Sequence, residues 1–157
     1  MQTHATALFA DRHAAHAAVE QLVQAGFPRD DISIVMSADT HEREFGMLTP
    51  ERSGVRHARH GGVLGAIVSG LVLLASPGGL PIRAAGPLVT TLLRTGTAAY
   101  ALSAALTSVG LAEHEARFVD QGVRSGSIVV GVYTSANRSR LALQLLELSG
   151  GDPLQAA

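Results

Sequence analysis

Apolar residues recur along this chain at two different periods, and the switches between them mark its elements. The run ATALFA, residues 5–10, reads as a short strand ended by Asp11, a residue suited to capping a helix. From there the spacing changes to threes and fours. Ala15, Val19, Leu22 and Val23 share one helical face, Arg12, His13, His16 and Glu20 fall on others, and Gly26 supplies the stop. FPRDDISIVMS then gives a turn and a strand over residues 31–37. The strand–helix–strand order implies a right-handed crossover and two parallel strands. Further on, Ala112, Ala116, Val119 and Val123 form the stripe of a helix. SIVVGVYTS is the most continuously apolar strand of the chain, as a central strand would be. A last helix follows, with Leu141, Leu145 and Leu148 on one stripe, Ser135 or Asn137 as its cap and Gly150 or Gly151 as its end. The tail DPLQAA is too short and too poor in β-branched residues to promise a strand.

Between these two parts the pattern breaks twice. Residues 38–60 are charged and aperiodic and read as a surface loop. Residues 61–110 are the opposite: GGVLGAIVSGLVLLASPGGLP carries no charge, and TGTAAYALSAALTSVGLA is apolar and rich in small residues. The turn SPGGLP suits a helical hairpin, with a first helix from Gly61 to Ser76 and a second from about Pro87 to Val109. At about 1.5 Å per residue the first helix reaches roughly 24 Å before Pro77, short of a bilayer core of about 30 Å. Gly61, Gly65 and Ser69 lie on one line with Gly70 beside it, a spacing that lets helices approach closely. These four residues are the candidate interface. Such a hairpin has three destinations: the protein's own interior, an oligomer of the same chain, or a membrane contact.

With the insert set aside, the order strand–helix–strand–helix–strand–helix fits an α+β ferredoxin-like sandwich. It would have three to four strands and helices on one face, with residues 127–132 between the first two strands. The fourth strand would be missing or vestigial, leaving an open edge beside the first. The chain of 157 residues is thus one domain: residues 1–37 and 111–157 form its core, 38–60 a charged loop and 61–110 the hairpin insert.

The formal charge of −1 provides no basic field for nucleic acid, and Tyr133 is the only aromatic on the SIVVGVYTS strand, too few for stacking RNA bases. Cysteine is absent, which removes disulfides, thiol catalysis and cysteine metal sites. The opening residues lack a basic segment followed by an apolar one, which points to the cytoplasm or the cytoplasmic side of the inner membrane. No serine sits in a strand–turn–helix elbow, no glycine run spells a phosphate loop, and no small-molecule substrate suggests itself. Glu113, Glu115 and Asp120 open a helix, where acidic residues favour the dipole. The candidate chemistry lies in the seven histidines. His13, His16 and Glu20 can share one helix face, and His57 and His60 repeat the three-residue spacing in the loop. Together they would suit zinc or copper, if the fold brought them close. A solvated helix face and a polar loop explain the same residues without metal.

ALFADRHAAHAAVEQLVQAGFPRDDISIVMS, the glycine-rich GGVLGAIVSGL, PGGLPIRAAGPL and GLAEHEARFVDQGVRSGSIVVGVYTS, in that order, resemble the bacterial general stress and low-temperature-induced protein family, the YflT-type domain. The likeness covers most of the chain except residues 38–60 and the tail. It implies a stress-associated bacterial protein without assigned enzymatic activity. The histidines and the weak final strand depart from the family pattern. The expected function is therefore non-enzymatic: self-assembly into a homo-oligomer, or attachment to membrane lipid, through the apolar hairpin. The alternative is a histidine-based metal-binding or sensing module.

Overall fold

The computed structural model describes residues 2–46, 63–68, 70–74, 81–94, 101–108 and 110–154. The chain forms an α+β domain around an antiparallel sheet. Its elements in order are β1 (Gln2–Phe9), α1 (Arg12–Gln24), β2 (Ile32–Ser37), α2 (Ala38–Phe45), a short helix α3 (63–68), β3 (Val72–Leu74), β4 (Ile82–Ala85), α4 (Pro87–Arg94), α5 (Ala101–Ser108), α6 (Glu113–Arg124), β5 (Ile128–Ser135), α7 (Ala136–Leu148) and β6 (Asp152–Leu154). Among the described residues the strands make one six-stranded sheet in the order β3-β4-β2-β5-β1-β6. Every neighbouring pair is antiparallel. Because β5 runs against both β1 and β2, those two strands are parallel to each other, as the strand–helix–strand reading required.

Local chemistry accounts for the first unit. Asp11 accepts a hydrogen bond from the Ala14 amide at 2.9 Å and caps α1. Gly26 closes the helix at φ +93°, a conformation open to glycine. Ala15, Ala18, Val19 and Leu22 are the buried face of α1.

Helices cover both faces of the sheet, not one. Alternate residues of each strand point to opposite sides. Ala5, Ala7 and Phe9 of β1, Ile32, Ile34 and Met36 of β2 and Ile128, Val130 and Val132 of β5 meet α1, α3 and α7. Leu8, Val35 and Val129 of the same strands meet Leu88, Leu102, Leu106, Ala116, Val119 and Val123 of α4, α5 and α6. The nearly continuous apolar run of β5 is the signature of a strand buried on both sides.

The uncharged middle departs most from expectation. No helical hairpin forms over the described part of it. Leu64, Ile67 and Val68 of α3 enter the α1/α7 core. Val72–Leu74 then turns into a strand paired with Ile82–Ala85, which in turn pairs with β2 over Ile34–Ser37. Backbone pairing wins because the outer edge of β2 would otherwise present unpaired amides and carbonyls. Among the described residues, helix persists in the first half only over 63–68, while the second half is helical as α4 and α5. Gly61, Ser69 and residues 75–80, the predicted turn, lie outside the described residues.

Two more expectations change. The charged loop begins with a helix, α2, because Ser37 caps it: its Oγ accepts the Thr40 amide at 3.0 Å and donates to Thr40 Oγ1 at 2.8 Å. The rest of that predicted loop, residues 47–60, lies outside the described residues. The tail does form a strand. Thr6, Ala7 and Leu8 of β1 face Leu154, Pro153 and Asp152 of β6, so the predicted open edge beside β1 is occupied. Composition misled here because strand addition at an edge is a backbone interaction, and proline is tolerated there.

Candidate functional site

Three of the five candidate metal ligands, His13, His16 and Glu20, fall among the described residues, all on α1. His13 is exposed on α1, and His16 Nε2 lies 3.9 Å from Glu20 Oε1, one turn apart on the same face. Glu20 has a structural partner as well: its Oε1 accepts the Val63 amide at 3.1 Å and ties α3 to α1. His57 and His60 lie outside the described residues. Among the described residues no group of three histidine, cysteine, aspartate or glutamate side chains converges as a metal site would. Of the candidate interface, Gly65 is half-buried on α3 and Gly70 is exposed in the turn after it, while Leu64, Ile67 and Val68 face inward.

The carboxylates of α6 are engaged in local structure. Glu113 pairs with Arg117 and Asp120 with Arg124 at one-turn spacing, and Glu115 accepts the Ala112 amide at 3.2 Å. Beside them, Phe118 is exposed where Glu113, His114, Arg117 and Gln121 line a shallow groove on the outer face of the helix.

Inside the sheet, on the α4–α6 side, sits a polar lane that the sequence reading missed. His4 is 5% exposed and faces Tyr133 of β5 across the β1–β5 ladder, with ring centroids 4.9 Å apart. Two residues on, the fully buried Thr6 stands opposite Gly131, which has no side chain to meet it. Among the described residues, neither His4 Nδ1 nor Thr6 Oγ1 has a hydrogen-bond partner. The available signal was a histidine in phase with Thr6 and Leu8, one residue before the run taken as the strand.

Burial lowers the His4 pKa below its ordinary value of 6.5. A histidine held neutral in the fold but free to charge when unfolded gives the unfolded chain more bound protons. His4 therefore adds no pH-dependent cost well above pH 6.5 and destabilises the fold as the pH falls through that value. His41, also lowered by burial and by Arg83, acts in the same direction. We expect the melting temperature to drop on acidification from about pH 7.5 to 5.5 and the drop to shrink in His4→Phe, which keeps the ring beside Tyr133. Equal drops in both proteins would show that His4 does not titrate with folding.

The outer face of α7 differs from the other surfaces. Its buried positions are Ala142 and Leu146, while Leu141 and Leu148, the ends of the predicted stripe, are 42% and 84% exposed. Leu145 between them is half-buried. The helix thus carries two apolar lines, the inner one buried and the outer one exposed at its two ends, with Leu145 also packed against the core. Comparison with family models, with curated proteins and with solved structures finds no match to this chain.

Proposed function

We propose that this protein is a non-enzymatic, stress-associated domain that works by self-association. The observation that carries the reading is the pair of leucines left outside a completed core: Leu141 and Leu148 project from a helix whose inner face is already packed. The carboxylates singled out from the sequence support the non-enzymatic part, since each is tied to a neighbouring arginine or backbone amide. A ferredoxin-like core is supported by the order β6-β1-β5-β2 with α1 and α7 together on one face. Residues 38–110 then act as an insert that widens the sheet past β2 and, together with α6, covers its second face. The stress association rests on the resemblance of the sequence motifs. The surface used differs from the one first expected, because much of the described first half of the uncharged middle is spent on the protein's own interior.

The test is the mass of the untagged protein by light scattering, with its partition between washed membranes and the soluble fraction. We expect a soluble species at a defined multiple of 16.2 kDa. A single-chain mass at every concentration, or retention in alkali-washed membranes, would overturn the proposal.

A further inference from the structure

We infer that the outer face of α7 binds a second copy of this chain, packed antiparallel about a twofold axis near Gln144. The inference deepens the self-association reading and rests on it.

Three features of α7 carry it. First, the helix is fixed in place before any partner arrives. Arg138 donates to the Ala25 carbonyl at 3.1 Å and stacks over the Phe27 ring at 4.2 Å, locking the first turn onto the end of α1. At the other end Gly151 lies so close to Phe9 that a Cβ there would come within 2.6 Å of the ring. A rigid helix loses little entropy when a partner docks on it.

Second, Leu141, Leu145 and Leu148 follow the i, i+4, i+7 spacing of a helix-packing stripe. Arg140, Gln144 and Glu147 repeat that spacing one residue earlier and form the adjoining line. In an antiparallel pair, a register that sets Leu141 against Leu148 of the second copy brings Arg140 to within two residues, about 3 Å along the axis, of its Glu147, a gap that the long arginine and glutamate side chains span. The twofold axis repeats both contacts, so one surface satisfies itself. A parallel copy would instead oppose arginine with arginine.

Third, the charges of α7 are misplaced for a solitary helix. Its first turn has no acidic residue and its last turn no basic one; Arg138 and Arg140 sit toward the N-terminus and Glu147 toward the C-terminus. Each opposes the helix dipole. An antiparallel neighbour reverses the situation, bringing its carbonyl end to Arg140 and its amide end to Glu147. Among the described residues neither Arg140 nor Glu147 has an ion-pair partner within the chain.

Two helices of 13 residues bury less than the ~1,600 Å² of a standard interface, so the dimer should dissociate on the order of micromolar. Sedimentation between about 1 and 200 μM covers that range. The wild type should move from monomer to dimer across it. Leu148→Glu should remain monomeric with an unchanged far-ultraviolet spectrum. Arg140→Glu and Glu147→Arg should each weaken the dimer roughly tenfold, by setting like charges against each other at both symmetry-related contacts. The double swap Arg140→Glu/Glu147→Arg should restore it. A wild type that stays monomeric overturns both this inference and the reading beneath it. An assembly indifferent to Leu148→Glu and to the single swaps overturns the α7 interface and leaves self-association standing through another surface. Loss in both single swaps without rescue in the double overturns the antiparallel register. A monomer that binds anionic lipid vesicles through Leu148 assigns the face to a membrane and overturns the second copy.

Discussion

Gly86→Ala is expected to destabilise the fold by about 3–5 kcal/mol, a large effect for one added methyl group. Gly86 links β4 to α4 at φ +92°. For any residue with a Cβ, that conformation costs roughly 1–2 kcal/mol. The methyl has nowhere to go: a Cβ would lie 2.2 Å from the Ile32 carbonyl oxygen and 2.7 Å from Ser33 Cα. Both obstacles are backbone, so relief requires β2 and the start of α4 to part. That separation would disturb the cap of α4, where the Leu88 amide donates to Ser33 Oγ at 3.0 Å, and lift the fully buried Leu88 from the second core. Urea unfolding reads the effect as a lower midpoint at unchanged slope. A shift worth less than about 0.5 kcal/mol would mean that the insert is not joined to β2 as described.

Leu64→Ala is expected to cost about 2–5 kcal/mol, the range for emptying a leucine site in a packed core. Leu64 is 1% exposed on α3 and belongs to the cluster formed with α1 and α7. The experiment bears directly on the uncharged stretch. If residues 61–76 existed to meet lipid or another chain, removing Leu64 would barely change the stability of the isolated protein and would abolish attachment instead. If α3 is interior, stability falls and assembly persists wherever the variant remains folded. Thermal melts together with light scattering on the same samples separate the two cases.

The sequence was most legible where period and capping agreed. Asp11, the apolar spacing through Leu22 and the Gly26 stop all point to one helix, and that helix is present. The placement of β5 between β1 and β2 followed from the order of strands and helices, and its apolar continuity agreed with it. Legibility failed where backbone pairing outweighed side-chain pattern. Val72–Leu74 and Asp152–Leu154 are strands because a neighbouring edge offers amides and carbonyls, and no side-chain period reports that. The candidate site was less legible than the fold. His16 and Glu20 do approach each other, but Glu20 also holds the Val63 amide, a partner 43 residues away that spacing cannot reveal. On α7 the leucine stripe was visible, yet its direction was not. Ala142 and Leu146 form a second apolar line, and that line is the one buried against the sheet.

The central position of β5 has a consequence for how the chain acquires its structure. Its partners on both sides were made long before it: Gln2–Phe9 must wait for Ile128–Ser135, more than a hundred residues later. During synthesis α1 and β2 can leave the ribosome with nothing between β1 and β2, and β2 can first find only β4. The sheet closes when its last major strand is inserted into a gap already flanked by apolar residues. Such non-local closure slows folding and prolongs the exposure of unpaired edges. A fragment truncated before residue 128 should therefore be a client of chaperones rather than a smaller version of the domain.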